Sequence, residues 1–141
     1  MTAISVHSRA HRAFRDTPRF KFARDGGNEL VNYRERIDLN AVGELVGCYR
    51  NPEPAQMEAV VITERGLLTI RPGLHQWIEF SDIRSVAAPS ADTDSSEISL
   101  VLLSGMAVRF AIEGRDGKYR DVFSFVRFLD RIVEDRERLG R

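Results

Sequence analysis

Residues 98–138 read ISLVLLSGMAVRFAIEGRDGKYRDVFSFVRFLDRIVEDRER and contain the clearest patterns in the chain. In residues 106–113, apolar side chains recur at every second position, which is the period of a β-strand with one buried face. Residues 98–103 form another apolar run, and Ser104-Gly105 between the two runs favours a two-residue turn. The first part of this stretch therefore predicts a β-hairpin.

The period changes after Gly117, where apolar residues recur every three or four positions. This spacing predicts an amphipathic helix from about Tyr119 to Arg138. Its apolar stripe consists of Val122, Phe125, Val126, Leu129, Ile132 and Val133. So wide a stripe is typical of a helix that packs across a sheet or closes an open barrel end, and we expect it to lie in the core.

Five shorter strand-like runs precede the hairpin, each bounded by turn-forming residues. They are residues 44–50, 59–63, 67–71, 76–80 and 83–87. In the last of these runs Ile83 and Val86 do not share parity, which predicts a bulge or bend. About seven antiparallel strands and one C-terminal helix predict an α+β fold that is mainly β.

The charge of the 141-residue chain is zero overall but unevenly distributed. Residues 1–24 contain six basic residues and one acidic residue, a net of +5, so the remainder carries −5. We expect residues 1–27 to form a basic, flexible N-terminal arm, of which residues 19–23 can pair with a sheet edge. Residues 28–141 are then a single domain, and its acidic character argues against nucleic acid as a partner.

Cysteine usage and hydropathy indicate the setting. Cys48 is the only cysteine, so the chain has neither a disulfide framework nor a cysteine metal site, and we expect a cytoplasmic protein. No apolar run approaches the length of a transmembrane helix, and the N-terminus lacks the apolar core of a secretory signal. Membrane association is therefore not the leading expectation.

The sequence contains no recognisable catalytic set. His7 and His11 stand four positions apart, but no third ligand lies nearby, so we predict no metal site. Residues 114–118 lack the spacing of a phosphate-binding loop. Cys48 and His75 leave a small Cys/His enzyme as a remote alternative, although nothing in the sequence requires the two side chains to meet. We expect no enzyme activity and no cofactor.

The order of elements resembles that of the pleckstrin-homology-like (PH-like) superfold. The resemblance covers residues 44–138 and is strongest in VVITERGLLTI at 60–70, in WIEFSDIRSV at 77–86 and in the Phe-rich helix. These patterns are similar to those of small bacterial PH-like domains without an assigned function. The resemblance implies a partly open barrel of about seven strands, closed by the C-terminal helix. The loop at residues 51–58 lacks the basic residues of lipid-binding relatives.

Members of that superfold often bind a peptide as an added strand beside the fifth strand and the C-terminal helix. The leading expectation is accordingly a non-catalytic module that binds a protein or peptide, as an adaptor or as an inhibitor or immunity-type protein. The resemblance places its groove at Ile83, Ser85, Phe123, Arg127 and Asp130.

Two further possibilities stay open. In the first, the protein binds an anionic membrane or lipid surface through its N-terminal arm. The residues expected to bind it are Arg9, Arg12, Arg15, Arg19 and Lys21. In the second, an exposed strand edge supports a homo-oligomer.

Overall fold

The computed structural model describes residues 6–17, 19–23, 43–50, 59–71, 74–87, 97–112 and 118–139. In chain order the elements are α1 (Val6–Phe14), β1 (Phe20–Phe22), β2 (Leu45–Arg50), β3 (Ala59–Thr63), β4 (Gly66–Arg71), β5 (Leu74–Glu79), a 3₁₀ turn (Phe80–Asp82), β6 (Ile83–Ala87), β7 (Glu97–Leu102), β8 (Ala107–Ala111) and α2 (Lys118–Leu139). The predicted α+β class, mainly β, is confirmed.

The described strands form two antiparallel sheets, one of five strands in the order β1-β2-β3-β4-β5 and one of three in the order β6-β7-β8. Among these strands no ladder joins one sheet to the other, so they do not close into a barrel. The seven predicted strands correspond to β2–β8, and β1 is added at an edge of the larger sheet. A register shift between Ile83 and Ser85 confirms the predicted bulge.

The β7–β8 hairpin has a longer turn than the sequence suggests. The amide of Leu102 donates to the carbonyl of Met106, 2.9 Å away, so Leu103, Ser104 and Gly105 form a three-residue loop. Gly105 has a φ of 92°, the left-handed conformation that ends a loop of this length. The predicted two-residue turn is therefore wrong by one residue, because Leu103 leaves the ladder.

The main core lies between the sheets and the helices. Val60 and Ile62 of β3 point into it, whereas Ala59 and Val61 point to a smaller cluster on the opposite face of the larger sheet. The predicted stripe of α2 is buried in the main core apart from the half-buried Val126, which packs against it. The hydroxyl of Tyr49 donates to Asp121 in the first turn of α2, at 2.6 Å, and fixes the start of that helix against β2.

Over its described residues, 6–17 and 19–23, the expected flexible arm is instead packed onto the domain. Val6, Ala10 and Phe14 are spaced four apart, so they share one face of α1, and all three are buried in the main core. β1 pairs antiparallel with β2, as expected for residues 19–23. The main core therefore does not begin at residue 28.

Some predictions lie outside the described residues. One concerns the loop at residues 51–58, which lacks the basic residues expected of a lipid-binding loop. The other concerns residues 114–117, whose spacing differs from that of a phosphate-binding loop. Within the ranges that the structure describes, no helix combines the length and the apolar character needed to cross a membrane.

Candidate binding site

The two helices pack side by side and border an open cleft of about 320 Å³. Its lining consists of Arg9, Arg12, Ala13, Arg127 and Arg131. On α1 the lining residues are spaced by three and four positions, and on α2 by four, so each set lies on one side of its helix. The small side chain of Ala13 leaves room between the arginines.

On one side of the cleft, Arg9 of α1 forms a bidentate ion pair with Asp135 of α2. Its Nε and Nη2 atoms donate to the two carboxylate oxygens of Asp135 at 2.8 and 2.7 Å. The hydrogen bonds from Arg9 hold the pKa of Asp135 below its usual value, although partial burial opposes this. Both side chains are largely shielded from solvent, so the pair fixes α1 to α2.

We expect Asp135→Asn to lower the free energy of unfolding by about 1–2 kcal/mol at pH 7. Because the folded-state pKa is depressed, the carboxylate stabilises the fold above its unfolded pKa of about 3.9, and this contribution disappears as pH falls through the folded-state value. Urea unfolding of both proteins should therefore show a stability difference that shrinks below about pH 4.

A control for that experiment is Asp16→Asn, because Asp16 lies 3.7 Å from Arg15 in an exposed pair. We expect this variant to change stability by less than about 0.5 kcal/mol at either pH. A stability difference between wild type and Asp135→Asn that grew in acid would contradict the assignment.

The positive charges of the other three cleft arginines are less fully neutralised by acidic side chains than that of Arg9. Arg131 lies 3.3 Å from Glu134 in an exposed pair. Neither Arg12 nor Arg127 forms an ion pair within the described part of the chain, and both are exposed. Four guanidinium groups thus face one cleft, with the carboxylates of Asp130, Glu134 and Asp135 beside them, which leaves an excess of one positive charge (four minus three) for an anionic ligand.

The structure does not assemble the predicted groove as a whole. Ile83 is fully buried, so its side chain is not available to a partner, because it fills the core below β6. Ser85 is exposed on β6. Phe123 lies on α2 with 54% of its surface exposed to solvent. Arg127 instead lines the cleft beside α1. Asp130 lies on the solvent side of α2. Partial desolvation of its carboxylate, together with the nearby Glu134 carboxylate, raises the pKa of Asp130 above its usual value.

The predicted anion-binding residues are also divided. Arg9 and Arg12 line the cleft, whereas Arg15 pairs with Asp16. Arg19 is half-buried beside β1, and Lys21 is exposed on that strand. The ordered helix α1 therefore brings two of the five together with arginines of α2.

The Cys/His dyad of the remote enzyme alternative is absent. Cys48 lies on β2 and is buried in the smaller apolar cluster. His75 lies on β5, with β3 and β4 between the two strands. Three inter-strand spacings put the backbones about 14 Å apart, beyond the reach of a proton transfer.

Sequence reasoning missed Arg131 and the convergence of the two helices. The four-residue spacing from Arg127 could have identified Arg131, because both lie on one helical side. No local signal shows that this side faces α1. Comparison with protein-family models, with curated proteins and with solved structures gives no match, so the PH-like resemblance stays a prediction.

Proposed function

We propose that this protein is a non-catalytic binding module that recognises an acidic segment of a protein partner in the cleft between α1 and α2. The observation that carries the proposal is the convergence of Arg12 and Arg127, exposed and without ion pairs to described residues, on one concave surface. An adaptor role fits a module of this kind.

The chemistry of the cleft suits carboxylate side chains. Each guanidinium presents planar N–H donors that match the two oxygens of a carboxylate, and such charge-assisted bonds are among the stronger hydrogen bonds in proteins. A volume of about 320 Å³ corresponds to roughly ten water molecules, which is space for acidic side chains but not for a folded domain.

The arrangement of the strands supports the finer fold proposal. β2–β5 and β6–β8 form four and three consecutive antiparallel strands, and α2 follows them in sequence and packs beside β6. We propose a PH-like arrangement on this basis, to which α1 and β1 add an N-terminal extension. The lone thiol of Cys48 is compatible with a cytoplasmic setting.

The test is fluorescence anisotropy with a fluorescein-labelled poly-glutamate peptide at low and at physiological ionic strength. We expect the Arg12→Glu/Arg127→Glu double variant to weaken binding roughly tenfold or more, because two cationic contacts become repulsive. The matched control is Arg15→Glu/Arg19→Glu, which makes the same change in charge outside the cleft lining. We expect it to bind as the wild type at physiological ionic strength.

Equal weakening by both double variants would contradict a defined cleft. If both also abolished co-sedimentation with phosphatidylserine vesicles, the anionic-surface alternative would replace the proposal. Circular dichroism and urea unfolding of each variant establish that the fold is intact.

A second candidate surface is the free side of β6. Among the described strands, β6 pairs with β7 alone, and its residues Arg84 and Ser85 are exposed. A peptide that added as a strand there would lie on the sheet that packs against α2. If the labelled peptide no longer binds to Phe123→Ala but still binds to the Arg12→Glu/Arg127→Glu variant, this surface is favoured over the cleft.

A further inference from the structure

Three side chains with metal-binding atoms meet on the side of α1 that faces the larger sheet. His7 belongs to α1, Glu44 directly precedes β2, and Glu64 lies in the β3–β4 turn. Their ligand atoms all lie within 4.8 Å of one another. His7 Nε2 and Glu64 Oε1 are 3.5 Å apart. This cluster is separate from the cleft, because His7 and Arg9 project from nearly opposite sides of the helix.

The backbone that carries these residues is held in place on each side. The amide of Glu64 donates to the carbonyl of Glu44 at 2.9 Å, which ties the two acidic residues together. The hydroxyl of Thr63 accepts hydrogen bonds from the amides of Arg65 and Gly66, so the turn around Glu64 is braced. Val6, the neighbour of His7, is buried in the core and fixes the first turn of α1.

We propose that His7, Glu44 and Glu64 bind a divalent transition-metal ion, with Zn²⁺ as the ion of best fit. Ligands at the bond lengths usual for zinc are separated by about 3.3 Å in a tetrahedral site, close to the His7–Glu64 distance. All three side chains are exposed, so Glu44 can approach by rotation about its own bonds. The imidazole nitrogen favours zinc, nickel or copper over magnesium and calcium, which prefer oxygen ligands.

The electrostatics of the cluster point to a cation. Two carboxylates close together repel each other when ionised, and one imidazole compensates at most one of the charges. A divalent ion neutralises both carboxylates and leaves a coordination position for water. It also links α1 to the β2 and β3–β4 region, while the Arg9–Asp135 pair links the same helix to α2. The ion would thereby fix α1 from a second side.

Isothermal titration calorimetry of the full chain with zinc chloride, in a buffer that does not chelate metals, tests the site. We expect one zinc per chain, with affinity reduced tenfold or more in His7→Ala and in Glu64→Gln. Zinc should raise the Tm of the wild type and not that of these variants, because an ion bound to the folded state stabilises it.

The controls are His11→Ala and His75→Ala. His11 lies one turn from His7 and contacts the ring of Phe22, with centroids 6.0 Å apart, while His75 is exposed on β5. We expect both controls to bind zinc as the wild type does. Loss of binding in His11→Ala with full binding in Glu64→Gln would show a histidine pair and overturn the proposal. An absence of stoichiometric binding by the wild type would overturn it as well, as would equal affinity for magnesium that is unaffected by His7→Ala.

Discussion

Phe14→Ala should lower the free energy of unfolding by about 3–5 kcal/mol. The ring of Phe14 is fully buried where α1, β1 and α2 meet. It stacks on Phe20 at a centroid distance of 4.3 Å, and it meets Phe125 at 4.6 Å and Phe128 at 5.3 Å. Truncation to alanine leaves a cavity between three aromatic rings and removes the largest apolar contact of α1.

The loss should be visible in urea unfolding and in peptide binding together. Because α1 forms one wall of the cleft, we expect an undocked helix to reduce binding of the acidic peptide as well as stability. Ser8→Ala, an exposed change on the same helix, serves as the control and should shift stability by less than about 0.5 kcal/mol. A loss below about 1 kcal/mol in Phe14→Ala would mean that α1 does not belong to the cooperative unit.

We expect Gly66→Ala to lower the free energy of unfolding by about 3 kcal/mol, although its backbone conformation is one that alanine adopts. Gly66 begins β4 opposite β5, and a Cβ atom there would overlap the carbonyl oxygen of Ile78. It would also lie 2.9 Å from the indole ring of Trp77. A side chain can rotate away, but the strand carbonyl cannot move without disturbing the ladder.

Gly105→Ala is the informative comparison. Gly105 has a positive φ, but a Cβ atom added there would have no neighbouring atom within 4 Å, so the cost is backbone strain of about 1–2 kcal/mol. Denaturant unfolding should therefore rank Gly66→Ala as the more damaging change. Adding Trp77→Ala to Gly66→Ala should not restore stability, because the obstacle is the backbone of β5. A restored stability would contradict this explanation.

The parts of the fold that follow local periodicity could be predicted from the sequence. The 3.6-residue stripe predicted α2 to within a residue at each end, and the alternation of residues 106–113 predicted β8. Both segments have a side-chain pattern that the core enforces over many residues. The prediction of the hairpin turn is wrong by one residue, because the sequence does not show that Leu103 leaves the ladder together with Ser104 and Gly105.

The N-terminal helix was missed because its signal is short. Four apolar residues in nine positions, two of them alanines, compete with four basic or histidine side chains, and a helix of that length gains little stability by itself. Its order depends on the aromatic rings of β1 and α2, which are distant in sequence. The four-residue spacing of Val6, Ala10 and Phe14 is typical of a helix with one buried face, but the basic composition of residues 1–24 favours an exposed arm.

Neither candidate site could be predicted, for a related reason. The cleft requires that Arg12 and Arg127 lie across from each other, and the metal cluster requires that His7 reaches Glu44 and Glu64. Both arrangements depend on which side of α1 faces α2 and which side faces the larger sheet. Sequence spacing identifies residues that share one helix or strand, whereas tertiary packing decides which of them meet residues from other elements.

The Arg9–Asp135 pair joins residues that are 126 positions apart in the chain. During synthesis, the ribosome releases α1 long before α2 exists, so the part of its apolar face that packs on α2 has no partner until then, although Phe20 of β1 can already contact Phe14. Because the entropy of closing a long loop is lost before the contact is gained, we expect the Arg9–Asp135 contact to form late in folding. A nascent or truncated chain would hold its arginines apart, and binding at the cleft would be restricted to molecules whose synthesis has reached α2.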